Sequence, residues 1–278
     1  MPIDMDRRRL FGLAYRMLGS AAEAEDCVQE ALLRWHQADR ERIDSPAAWL
    51  DSVVARLCLD HLKSARVRRE EYVGPWLPEP IRTEQPEDAT SLSFAALLLL
   101  QTLGPAERAA HLLHELFGYS HAEVGRMLGM REDACRQMAH RARARIAEGR
   151  PRFEATREQR ERLLAAFLEA CADDDPGGLL RILAEDAVAL TDGGGKALAA
   201  RRALRGARNV ARFLAGVLRK APPGLGIEPS ELNGGPALVL RSGEGIYGAL
   251  LLDGDERIRA VHLVVNPEKL AGLGQTVL

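Results

Sequence analysis

The sequence predicts a multidomain chain: two all-α units, the second a helix-turn-helix of the winged-helix-like class, followed by an α+β unit. Three observations predict it. SHAEVGRMLGMREDACRQMAHRARAR, residues 120–145, has the spacing of two short helices around a glycine turn, the second strongly basic. PWLPEPIRTEQPEDATS, residues 75–91, holds four Pro and few apolar residues, so it separates two helical stretches as an extended linker. From Ala187 onward helical periodicity gives way to short β-type runs punctuated by glycine.

The first unit is read as residues 1–74. Leu10, Leu13, Ala14, Met17 and Leu18 form one apolar stripe, which Gly19 and Ser20 end. A second helix is expected over 21–37, with Val28, Leu32 and Trp35 on one face and Glu23, Asp26, Gln29 and Glu30 on the other. In RIDSPAAWL, Ser45 caps a third helix and Pro46 takes its first position. Trp49, Leu50, Val53 and Leu57 are expected to face inward, and the helix continues through CLDHLKSARVRR.

After the linker a second helical unit spans 92–150, with Gly104 and Pro105 between its first two helices. Ser120 and Glu123 make a capping box, Val124, Met127 and Leu128 pack inward, and Gly129 supplies the turn. The next helix is expected to turn Ala134, Met138 and Ala142 inward and Arg136, Gln137, His140, Arg141, Arg143 and Arg145 outward. A guanidinium fork pairs with phosphates or guanine edges, so this face points to DNA. The third unit, 151–278, opens with a helix at 158–175 and a short helix after Gly178. A further helix in RGARNVARFLAGVLRK and strands in ALVLRSGEGIYGALLLDG and RIRAVHLVVN complete it.

The 278 residues carry a net charge of −2, unevenly spread. Arg56 to Arg69 hold five basic residues against Asp60, and Arg136 to Arg152 hold six Arg against Glu148. Between Pro75 and Leu99 four acids face Arg82. Two basic patches joined by an acidic connector suggest two contacts with a polyanion. Cys27, Cys58, Cys135 and Cys171 lie far apart and form no metal-type or redox pair, so a reduced, cytoplasmic chain is expected. The N-terminus lacks the apolar core of a leader, and no apolar run is long enough to span a membrane.

Taken together, EAEDCVQEALLRW, SPAAWLDSVVARLCLDHLKSARVRR, the acidic linker, GPAERAAHLLHELFGYSHAEVGRMLG and CRQMAHRARARI resemble an extracytoplasmic-function RNA polymerase sigma factor. WLPEP (76–80), DGGGK (192–196) and NPEKL (266–270) resemble its SigJ-like branch, whose fused extension is a SnoaL-like cone of the NTF2 and ketosteroid-isomerase type. The resemblance implies core RNA polymerase and promoter DNA as partners, with contacts to the largest-subunit clamp coiled coil and the flap. Asp26, Gln29 and Glu30 would dock on the clamp. The segment from Arg40 to Arg69 would open and read the −10 element, with Lys63, Arg66, Arg68 and Arg69 on phosphates. The helix from Arg131 to Arg145, with the outward residues named above, would enter the major groove of the −35 element. An intramolecular contact would join the linker (Trp76, Leu77, Pro78) to the extension (Asp192, Gly193, Gly194, Gly195, Lys196, Asn266, Pro267, Lys269) and regulate the factor in cis. Arg56 stands where many such factors carry Asn, and Gly125 where Ala is usual, a change expected to loosen its helix by roughly 1 kcal/mol.

No cofactor or metal is expected. His111, His114 and Glu115 share a helix, but an ordinary surface is the stronger reading. The alternative to a regulatory extension is a DNA-binding unit fused to a small-molecule-binding or isomerase-type enzyme. For that, Asp186, Asp192, Tyr247 and His262 are candidates by residue type alone.

Overall fold

A computed structural model describes residues 3–70, 72–82, 93–149, 155–172, 176–243 and 245–274, with side chains except at 3–6, 65–70, 172 and 176. The chain divides into two compact units, one of Met1–Glu71 with Asp88–Arg150, the other of Tyr72–Glu87 with Pro151–Val277.

The first unit is all helical. α1 (Ile3–Leu18), α2 (Ala21–Gln37) and α3 (Pro46–Glu70) pack together, and α4 (Phe94–Gln101), α5 (Pro105–Glu115), α6 (His121–Leu128) and α7 (Glu132–Gly149) complete it. The α1 stripe Leu10, Leu13, Ala14, Met17 and Leu18 is fully buried. On α3 the expected inward face is displaced by one position. Leu50, Asp51, Val54, Ala55, Cys58 and Leu62 are buried, while Trp49, Val53 and Leu57 are only partly so. On α7 Ala142 is buried as expected, but Cys135 and Ala139 line the core in place of Ala134 and Met138, which flank it, and Ile146 joins them. In both helices small residues (Ala55, Cys58, Cys135, Ala139) share the interface with larger apolar ones, and for those small residues hydrophobicity ranks give little signal. Cys27 and Cys58, distant in sequence, are hydrogen-bonded neighbours between α2 and α3, and that contact and burial raise the Cys58 thiol. All four cysteines are free thiols.

Gly125 is a packing requirement and not a loosened position. A Cβ there would lie 2.8 Å from the Met130 carbonyl oxygen in the turn. Ser120 and Glu123 form the expected capping box.

The second unit begins with α8 (Arg157–Ala172) and α9 (Pro176–Ile182), followed by β1 (Leu183–Asp192), β2 (Leu204–Arg205) and α10 (Ala207–Arg219). β3 (Gly226–Leu232), β4 (Gly235–Ser242), β5 (Gly245–Gly254), β6 (Ile258–Val264) and the short α11 (Pro267–Leu270) follow. The sheet order is β2-β1-β6-β5-β4-β3, with β1 and β6 parallel and the other pairs antiparallel. Alternate residues of the strands (Ala187, Ala189, Leu238, Leu240, Leu250, Val261, Leu263) meet Leu163, Phe167, Leu179, Val210 and Leu214 of the helices in one apolar core. Residues of the opposite parity, Ala237, Val239, Ala249, Leu251 and His262, are buried as well. Every described strand belongs to this unit, so the helix-turn-helix has no strand beside it among the described residues. No helix of the described residues is long and apolar enough to cross a membrane.

Candidate nucleic-acid interface and linker dock

α7 presents Arg136, Gln137, His140 and Arg141 along one open, shallow groove. All the basic side chains expected on this helix are exposed, but its arginines do not stand alone. Arg131 pairs with Asp133 at 2.6 Å, and Arg136 with Glu132 at 2.5 Å. Arg141 and Arg145 share Glu107 at 3.0 and 2.9 Å, and Arg143 meets Glu115. The hydrogen bond from Arg143 holds the Glu115 carboxyl below its usual range. Exposed pairs of this kind contribute about 0–1 kcal/mol each, so phosphates can displace the carboxylates at small cost.

Elsewhere in the unit, Lys63 pairs with Asp60 at 2.8 Å. Arg66, Arg68 and Arg69 lie in α3, but their side chains are outside the described residues. On α2, Asp26 and Gln29 are exposed, and Glu30 is held by Arg34 at 2.7 Å.

Sequence reasoning missed the polar contacts within this unit. Asp51, fully buried on α3, accepts from Arg9 of α1 at 2.5 Å and from the Tyr119 hydroxyl at 2.6 Å. Burial, then the bond to Asp51, pushes the Tyr119 phenol up. Arg108 donates to the Met17 carbonyl. Arg56 donates to the carbonyls of Met127 (2.6 Å) and Arg126 (3.2 Å), and Ser52 to Met127 (3.2 Å). These donors satisfy the last carbonyls of α6, where a cation is also favoured by the helix dipole. An acid inside an apolar stripe, as at Asp51, was the one available signal.

In the second unit the segment 72–82 lies extended along the sheet domain. Its anchor is Asp192 at the end of β1, fully buried. Asp192 accepts from the Tyr72 hydroxyl (2.6 Å), the Leu77 amide (2.8 Å), the Gly194 amide (3.1 Å) and the Lys269 ammonium (2.7 Å). Lys269 also donates to the Leu77 carbonyl at 2.5 Å and sits 3.9 Å from the centre of the Trp76 ring. Asn266 donates to the Tyr72 oxygen at 2.9 Å and accepts from the Glu268 amide, capping α11. Lys196 pairs with Glu268. Gly194 has φ 57°, and a Cβ on it would lie 2.3 Å from the Asn266 amide nitrogen, so only glycine permits the DGGGK turn to close on NPEKL. Further along, Ile81 and Asn233 exchange hydrogen bonds at 2.9 and 3.2 Å, and Arg82 pairs with Glu228 at 3.2 Å. The buried apolar anchor of the linker is Leu77, and Trp76 is only partly covered.

The residues considered for catalysis do not converge. Asp192 is consumed by the linker dock, Asp186 stands exposed 3.6 Å from Arg259, Tyr247 is 40% exposed and His262 is buried in the sheet. Among the described residues no group of three or more His, Cys, Asp and Glu could hold a metal ion. His114 stacks on His121 with ring centres 3.9 Å apart.

Residues 3–68 match the family described as Sigma-70 region 2, and residues 93–146 match Sigma-70, region 4. The chain is 38% identical, over 96% of its length and 91% of the relative's, to the ECF RNA polymerase sigma factor SigJ of Mycobacterium tuberculosis. It is 40% identical, over 64% of each chain, to the probable ECF RNA polymerase sigma factor SigI of that organism. The crystal structure of M. tuberculosis SigJ superposes with a TM-score of 0.78 at 34% identity, covering 96% of both chains.

Proposed function

The chain belongs to the family of extracytoplasmic-function RNA polymerase sigma factors, and from that premise we propose how its parts divide the work and how the extension controls it. Sigma domains of this kind engage core RNA polymerase and promoter DNA. The exposed row of Asp26 and Gln29, with Glu30, docks on the clamp coiled coil of the largest subunit. The segment Arg40 to Arg69 opens and reads the −10 element, and α7 reads the −35 element through Arg136, Gln137, His140 and Arg141. Region 2 is taken as 1–74, the linker as 75–91, region 4 as 92–150, and the SnoaL-like regulatory domain as 151–278.

Regulation in cis is carried by one observation: Asp192 and Lys269, both buried, are satisfied largely by Tyr72, just before the linker, and by the linker residues Trp76 and Leu77. A buried ion pair that depends on a linker for its remaining bonds makes linker docking a strongly coupled event. No observation favours the enzyme-fusion alternative.

The polymerase contact is tested by co-elution with core enzyme. Asp26→Ala with Glu30→Ala should abolish holoenzyme formation while thermal unfolding stays as in the unmodified protein. Normal co-elution would overturn the docking assignment.

A further inference from the structure

Between Asp192 and Glu228 the chain has no acidic residue and eight basic ones. Lys196 is engaged by Glu268, and Lys220 closes α10. The other six are arginines, all within residues 201–219 of the second unit. Arg201 and Arg202 lie in the loop before β2, Arg205 on that edge strand, and Arg208, Arg212 and Arg219 on α10; all are exposed. Positions 208, 212 and 219 fall within about 40° of one another around the helix, a single stripe about 16 Å long.

These side chains differ from the arginines of α7, each of which meets a carboxylate. Arg212 donates to Asn209 at 3.0 Å, and the other five have no ion-pair partner among the described residues. The apolar anchors of α10 are Val210, Ala211, Leu214 and Ala215, buried beside the stripe, while the arginines themselves are exposed. Like charges so close are mildly destabilising.

We propose that these six arginines, the α10 stripe and its neighbours in the loop and β2, are a phosphate-backbone contact of the extension with duplex DNA, independent of sequence, which supplements the two promoter-reading segments. Three considerations select DNA. Unpaired guanidinium groups suit phosphate oxygens. The stripe covers the rise of roughly five base pairs. The DNA reader it is tethered to keeps duplex at high local concentration. A membrane surface fits less well, since an interfacial helix needs a free apolar face and that of α10 is spent in the core. The inference rests on the promoter-binding reading only for the origin of the DNA.

The test uses the full chain carrying Arg205→Ala, Arg208→Ala and Arg212→Ala. Binding to a labelled promoter duplex and a shuffled duplex of equal length is followed by fluorescence anisotropy from about 50 to about 200 mM salt. Both affinities should fall by the same factor, and the slope of log K against log salt should lessen by about two to three units. Arg201→Ala with Arg202→Ala, outside the helix, should lessen it by about one to two. Removing three charges elsewhere, with Arg157→Ala, Arg257→Ala and Arg259→Ala, should leave the slope unchanged. Slopes equal to that of the unmodified protein in both arginine variants overturn the proposal, as does an equal loss in the control or a loss confined to the promoter. Unchanged DNA binding with lost adsorption to phosphatidylglycerol vesicles overturns it in favour of a membrane surface. Gln137→Ala, measured in parallel, separates the two readings: retained promoter preference there would sink the α7 assignment and leave the stripe result standing.

Discussion

One buried carboxylate in each unit gathers contacts from separate segments. Asp51 ties α1 and the α5–α6 loop to α3, and Asp192 ties the linker and NPEKL to β1. Removing such a group leaves its partners unsatisfied, so Asp51→Ala should cost about 3 kcal/mol of first-unit stability in urea unfolding. A loss below about 1 kcal/mol would place the hub outside the cooperative core. Neither role was legible from sequence in full. Asp192 was singled out through its motif, but a lone acid at position 51 reads as a solvated helix position until tertiary contacts are known. His262 offers a pH test. Burial lowers its pKa to about 4. The unfolded chain takes up a proton near pH 6.5 while the folded one stays neutral. Stability is therefore complete above about pH 6.5 and declines as pH falls toward 4, by about 3 kcal/mol in all. Between pH 7 and pH 4 the unmodified protein should lose about that much more than His262→Gln in urea unfolding; equal losses would refute it.

At the scale of elements, helix periodicity and caps were readable, and faces were readable to within one residue. α2 spans the predicted residues, and Ser45, Pro46, Ser120 and Gly129 act where their chemistry places them. The faces of α3 and α7 came out displaced because Ala55, Cys58, Cys135 and Ala139, small residues that hydrophobicity ranks low, share the interfaces with Leu50, Val54, Leu62 and Ile146. Gly125 separates propensity from packing. By propensity Gly125→Ala would stabilise α6 by up to about 1 kcal/mol. With the Met130 oxygen 2.8 Å from the new Cβ, the substitution should instead destabilise by about 1–3 kcal/mol, read from the thermal midpoint. On α7, Arg136→Ala or Gln137→Ala should weaken binding to one promoter more than to random DNA. Arg143→Ala or Arg145→Ala should weaken both alike and reduce the salt slope by less than the one unit expected of an unpaired arginine, because Glu115 and Glu107 already neutralise part of that charge. If none of the four changes shifts promoter binding in an anisotropy titration, α7 is not the reading helix.

For the molecule as a whole, the decisive fact is that the chain leaves the first unit at Tyr72, is held by the second through Arg82, and returns to the first at α4. Docking withdraws residues 72–82 from the length of chain available between α3 and α4. That length corresponds to about 35–40 Å of maximum reach. Reading elements centred near −35 and −10 requires the two helical segments to stand roughly 85 Å apart along the duplex, so free linker length bears directly on promoter use. A coupling of about 1–3 kcal/mol between docking and promoter engagement changes output several-fold or more. Deleting everything after Arg150 should lower run-off transcription sharply, as expected when the docked linker is the active form. Trimming only from Val265 onward removes Asn266 and Lys269 while Tyr72 and Leu77 can still reach Asp192, so it should raise output by releasing one restraint. Trp76→Ala and Leu77→Ala take away the linker's own side of the dock and should follow the full deletion, whereas Lys269→Ala should follow the trim. If all five proteins transcribe as the unmodified chain does, the dock is a passive fold contact and control in cis is lost as an explanation.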